Sequence, residues 1–172
     1  MVQMTWTKAK KQLKSLTCDS LQGRLDFHII NYRKAHDQLG RAVITLDKEE
    51  IFNMCTLTTE AKEFEKTLAL SEYLNEDELE QNTSIELQQL AQQELAKEGV
   101  FAQYDFFEAL ARYFNQSIEE SLTSDHDLVK LLSLIDRRVG KRTLVKLADT
   151  IDTESALVQQ FYYIRMKSEN LA

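Results

Sequence analysis

Hydrophobic and polar positions follow two rhythms along this chain, helical at first, period two after Gly23, and helical again from near residue 57. From Thr5 to Leu16, Trp6, Ala9, Leu13 and Leu16 recur at helical spacing while Lys8, Lys10, Lys11 and Lys14 project elsewhere. That predicts a basic amphipathic helix. After Gly23 the period drops to two: Leu25, Phe27 and Ile29 share one parity, and Arg24, Asp26, His28, Ile30 and Tyr32 share the other. Such alternation marks a strand with one dry face. The loop KAHDQLG ends at Gly40, and a β-branched run follows from Ala42 to Leu46. A polar turn around Asp47 to Glu50 then leads to Ile51, Phe52 and Met54. Connections this short permit only antiparallel pairing, so residues 24–55 are expected to form a three-stranded meander.

From about Thr58 every signal is helical. Ala61, Phe64 and Leu68 keep helix spacing, and the acidic string from Asn75 to Glu80 closes or interrupts that element. Thr83 with Glu86 fits a capping box, opening a helix through Leu87, Leu90, Ala91 and Leu95 that should end at Gly99. Phe101 to Phe114 carries aromatics on nearly all sides and is expected to be the most buried helix. Ser117 with Glu120 and Ser124 with Asp127 offer two further boxes. Leu128, Leu131, Leu132 and Ile135 form a stripe, then comes the charged turn DRRVGKR, then Leu144, Leu147, Ala148 and Ile151. Asp152 or Thr153 is expected to cap a last helix through Leu157, Val158, Phe161 and Ile164. The fold class is therefore α+β: an N-terminal helix and a small sheet, then an all-helical region of five to seven helices. One domain over residues 1–172 is expected, with subregions 1–57 and 58–172.

Composition agrees with that reading. The 172 residues include no proline and four glycines, against about nine and about twelve at average usage. This excludes collagen-like and Pro-rich architectures and argues against a loop-rich all-β fold. Cys18 and Cys55 stand alone without a CxxC, no apolar run approaches the ~20 residues of a membrane span, and the amino terminus lacks a secretory apolar core. A cytoplasmic chain with reduced thiols and no membrane contact is expected.

Charge is uneven. The net is -7, yet residues 1–41 hold eight basic and three acidic side chains, and residues 136–146 hold five and one. The intervening 42–135 hold six and twenty. The first island contributes Arg24, Arg33 and Arg41, with His36 and Asp37 as a loop pair in which a carboxylate could orient an imidazole. The second contributes Arg137, Arg138, Lys141 and Arg142. At helix spacing Arg138 with Arg142, and Arg137 with Lys141, would converge on a phosphate or a carboxylate. Against this stands internal pairing with the acidic middle segment.

Chemistry beyond charge is sparse. His28, with Arg24 and Asp26 before it and Tyr32 beyond it, places an imidazole, a guanidinium, a carboxylate and a phenol on one strand face, the residue types of a metal-free ribonuclease. His28, His36 and His126 offer no metal-ligand pair, so no metal is expected. The glycines are too scattered for a phosphate loop or dinucleotide fingerprint, no GxSxG is present, and no cofactor is expected.

The strings WTKAKKQL, CDSLQGR, HIINYRKAHDQLGR, EIFNM, QYDFFEAL, SIEESL and IDRRVGKRTL together resemble an uncharacterised family of small bacterial cytosolic proteins. The resemblance spans almost the whole chain and implies a bacterial cytosolic protein, but no activity, cofactor or partner. The leading functional expectation is a non-enzymatic binding or interaction protein that contacts nucleic acid or phosphate through its two basic islands, or a protein partner with an acidic patch. The rival is a metal-independent phosphodiesterase or ribonuclease with His28 as acid/base, Arg24 as anion stabiliser and Tyr32 nearby.

Overall fold

The computed structural model describes residues 4–32, 39–75, 77–78 and 84–172. Helix α1 (Trp6–Leu16) leads through a 3-10 turn at Asp19–Leu21 into strands β1 (Leu25–Asn31), β2 (Gly40–Leu46) and β3 (Glu49–Cys55), which form an antiparallel sheet in the order β1-β2-β3. Among the described residues seven further α-helices follow: α2 (Thr56–Tyr73), α3 (Ser84–Lys97), α4 (Gln103–Asn115), α5 (Ile118–Leu122), α6 (Asp127–Leu134), α7 (Lys141–Leu147) and α8 (Ala156–Ser168). The expected meander and helical region are both present, and β3 is longer than the run Ile51 to Met54 suggested.

Register explains which face of the sheet is dry. Leu25 pairs with Leu46, Phe27 with Ile44 and Ile29 with Ala42, while Ala42 pairs with Met54 and Ile44 with Phe52. These side chains lie on one face and pack with Leu13 of α1, Phe106 and Leu110 of α4, Leu131 and Leu132 of α6, and Phe161 of α8. Burial of each large apolar side chain stabilises by about 1.5–3 kcal/mol. A smaller cluster of Leu134, Val139, Leu144, Ile151, Val158 and Tyr162 joins α6, α7 and α8. Gly40 is required where β2 starts: a Cβ there would sit 2.2 Å from the Ile30 carbonyl oxygen, which is backbone and cannot step aside. The β2–β3 hairpin turns on Asp47 and Lys48, both left-handed (φ 53° and 73°), the geometry of a two-residue turn matched to strand twist.

Helix ends follow local chemistry, with two departures from expectation. Gly99 ends α3 at φ 76°, with Val100 N–H on Leu95 O at 2.9 Å and Gly99 N–H on Ala96 O at 3.0 Å, as a left-handed cap should. The Ser117–Glu120 box forms: Ser117 Oγ accepts the Glu120 N–H and the Glu120 carboxylate accepts the Ser117 N–H. Ser124 does not cap a helix at Asp127; α6 starts one residue after His126, whose N–H Ser124 Oγ accepts at 3.1 Å. Neither Asp152 nor Thr153 caps α8. Both lie in the preceding 3-10 turn, and Ser155 takes the cap by accepting the Val158 N–H. The most buried helix is α6, not α4. Leu128, Val129, Leu131, Leu132, Ser133 and Leu134 are all buried because α4, α5 and α8 all pack against α6. Tyr104 and Phe107 of α4 are exposed. Thr83 lies outside the described residues.

Candidate functional site

Three surfaces compete as the working site, and the cationic one comes first because sequence pointed to it. On the outer face of the sheet Arg24, Arg41, Lys10 and Lys14 each have an acidic partner. Arg24 donates twice to Asp47, at 2.9 and 2.7 Å. Arg41 holds Glu50 at 3.0 Å, and Lys10 and Lys14 reach from α1 to Asp26 at 3.2 and 3.1 Å. Burial pushes the Asp26 carboxyl up, but the Phe27 N–H and the two ammonium groups outweigh it and hold the group below its ordinary value. His28 Nε2 lies 3.2 Å from Thr45 Oγ1 and 3.8 Å from Asp26. It is separated from Arg24 by four residues of extended chain, about 13 Å, and Tyr32 points its hydroxyl at Cys55 Sγ instead (3.8 Å). The geometry therefore does not converge His28, Arg24 and Tyr32 on one atom. Arg33, His36 and Asp37 lie outside the described residues.

The second island resolves into a structural hub. Helix α6 stops at Leu134 and α7 begins at Lys141, so Arg137 with Lys141, and Arg138 with Arg142, do not share the helix face that their spacing suggested. Arg138 folds back on Asp136 with its Nη2 2.6 Å and its Nε 3.1 Å from the carboxylate, and lies 5.9 Å over the Tyr113 ring. Asp136 is 1% exposed and also accepts the Tyr113 hydroxyl and the Arg138 N–H. Burial first, and Asp136 second, push the Tyr113 phenol far above its ordinary value. Beside it Arg165, 3% exposed, donates to the carbonyls of Leu134, Asp136 and Val139 at 2.9–3.1 Å and to Glu169 at 3.0 Å. Glu169 also accepts from Ser20 and holds Lys141 at 3.5 Å. The same turn is stitched to the α1–β1 connection by Cys18 N–H on Ile135 O and Arg137 N–H on Leu16 O. Among the predicted cations of this island, Arg137 and Arg142 are exposed and make no ion pair among the described residues.

Polar groups meet again on the inner side of α2. Thr56, Thr59 and Glu63 are its buried residues. Glu63 accepts the amide N–H groups of Gln88 and Gln92 from α3, at 2.5 and 3.1 Å, and Lys66 bridges to Glu94 and Glu98. Between α2, α3 and α4 this leaves a cleft of about 390 Å³ whose lining includes Glu63, Tyr104, Asp105, Glu108 and His126. Burial, then Asp105, Glu63 and Glu60, push the Tyr104 phenol up to about 12. Burial raises Asp105, opposed by the Ala102 N–H, and burial followed by Arg112 lowers His126. His126 stacks on Phe101 with ring centres 6.0 Å apart. No group of three or more metal-ligating side chains occurs among the described residues.

The outer side of α2 is the reverse of what an amphipathic helix normally presents. Leu57, Phe64 and Leu68 are 45%, 71% and 52% exposed, and Ala61 between them is exposed as well. The most apolar stripe of the helix thus faces water, while Thr59 and Glu63 face the protein. A stripe at this spacing normally packs on a core; here α3 covers the polar side and nothing among the described residues covers the apolar one.

A family model matches residues 5–166. The chain belongs to the SF0329 protein family. No curated protein and no solved structure matches it. Membership of the SF0329 family agrees with the resemblance carried by WTKAKKQL, CDSLQGR and IDRRVGKRTL, and it brings no activity to any residue. Within this family member the hub residues Tyr113, Asp136, Arg165 and Glu169 escaped the sequence reading, as did the buried Glu63. One signal was available: Arg165 occurs at helix spacing from Phe161, on a stripe otherwise apolar.

Proposed function

We propose that this SF0329 family member is a non-enzymatic binding protein whose working surface is the outer face of α2. The observation that supports this reading is the inversion of that helix: three large apolar side chains in water on one side, a buried carboxylate on the other. Surface apolar residues scattered singly need no explanation, but a contiguous row of them at one helix face marks an interaction site. A protein partner is favoured over nucleic acid. Phosphate contact needs several cations free to neutralise it; Arg24, Arg41, Arg138 and Lys141 are each held by a carboxylate of their own chain, which leaves Arg137 and Arg142 as the arginines of the second island without an ion pair among the described residues.

The test installs the photo-crosslinker p-benzoylphenylalanine at position 64 or at position 142 in the full chain, in cells. Position 64 should give a discrete protein adduct that Leu57→Glu with Leu68→Glu abolishes, and position 142 should give none. Nucleic-acid adducts at position 142, or no discrete adduct at position 64, would overturn the reading.

A further inference from the structure

Granted that the outer face of α2 is the working surface, the charges bordering it specify what occupies it. Leu57, Ala61, Phe64 and Leu68 follow the four-three-four spacing of a coiled-coil seam, whose flanking positions are then Thr58, Glu60, Glu65, Thr67 and Glu72. The seam is bordered by three carboxylates and no cation. Glu60, Glu65 and Glu72 are exposed and form no ion pair among the described residues. Both lysines of the helix are turned away: Lys66 is held by Glu94 and Glu98, and Lys62 lies about 130° round the helix from the seam. A second copy of the chain is a poor occupant, because flanking positions oppose flanking positions in either helix orientation and carboxylate would meet carboxylate or threonine.

We propose that the α2 seam docks an amphipathic helix of a partner protein whose apolar stripe is flanked by lysine and arginine. From Leu57 to Leu68 the seam runs about 16 Å, so roughly three turns of the partner cover it. Apolar burial supplies the attraction, and the carboxylate border sets partner choice and speeds encounter.

Two fluorescent 18-residue helical peptides test this against the full chain by anisotropy. They carry the same leucine seam and differ only in having lysine or glutamate at the flanking positions. The lysine peptide should bind, weaken with added salt, and weaken about tenfold or more with Phe64→Glu. That loss cannot come from general attraction to an acidic protein, because the substitution adds negative charge. Glu60→Lys with Glu65→Lys should reverse the preference between the peptides. Equal binding of both, preference for the glutamate peptide, or binding of neither would overturn the proposed partner chemistry. Sedimentation separates the remaining cases. Self-association abolished by Phe64→Glu would make a second copy the occupant, overturning the basic helix while leaving the surface reading intact. Unfolding by Phe64→Glu would overturn the surface reading itself.

Discussion

The turn between α6 and α7 and the outer face of α2 invert ordinary expectation in opposite directions. The turn carries DRRVGKR, five charged residues in seven, yet Asp136 and the Arg165 that reaches into it from α8 are buried and hydrogen-bonded on nearly every side. The α2 face carries leucine and phenylalanine, yet it is wet. Charge stays inside where each polar atom finds a fixed partner, since an unpaired buried charge costs far more than a paired one. Apolar surface stays outside where function supplies the cover that folding does not. The first region is packed into the fold; the second is left open to solvent.

Four predictions bear on that contrast. The largest effect belongs to the hub: Arg165→Ala takes the guanidinium away from Glu169 and from the carbonyls of Leu134, Asp136 and Val139 and should cost about 3–5 kcal/mol in urea unfolding, while Arg142→Ala at the start of α7 should change stability by no more than about 0.5 kcal/mol. Equal losses for the two would erase the distinction between buried and surface cations. Next, Ser117→Ala removes the cap of α5 and should cost about 1 kcal/mol, measured the same way; no loss would mean that α5 is held by packing alone.

A smaller effect depends on pH. Burial and Arg112 hold the His126 imidazole below its ordinary value, against the opposing carboxylates of Glu108, Asp105 and Asp127. The unfolded chain therefore takes up this proton first, so the stability due to neutral His126 is present above about pH 6.5 and is lost as the pH falls through the lower folded value. Asp105, raised by burial, works in the opposite direction as the pH falls further into the carboxylate range. Thermal unfolding between about pH 7 and pH 5 should show a falling Tm that His126→Gln flattens. An unchanged slope would remove His126 from the account.

How much of this was legible in the sequence follows from what each pattern measures. Period two from Leu25 to Ile29 and the two short connections were enough for the meander, because strand parity and loop length are local properties. Gly99 and the Ser117–Glu120 box were legible for the same reason: each uses atoms within a few residues of itself. The hub was not, because Tyr113 of α4, Asp136 of the turn and the Arg165–Glu169 pair at the end of α8 come from separate elements and their meeting is a tertiary fact. For DRRVGKR the sequence offered both a phosphate-binding patch and internal pairing with the acidic middle segment, since nothing local shows that Arg138 turns back on Asp136. For α2 the spacing of Ala61, Phe64 and Leu68 correctly marked a helix face. It did not carry the direction of that face, which is decided by α3 covering Glu63 and Thr59 instead.

The central claim is that the α2 stripe is dispensable for folding, and its most direct test is the urea unfolding free energy of the Phe64→Glu, Leu68→Glu double variant. The account predicts a value within about 1 kcal/mol of the parent chain, the sum expected of two surface substitutions. A loss of about 3 kcal/mol or more, the scale of a large side chain removed from a core, would contradict it and return the stripe to the interior.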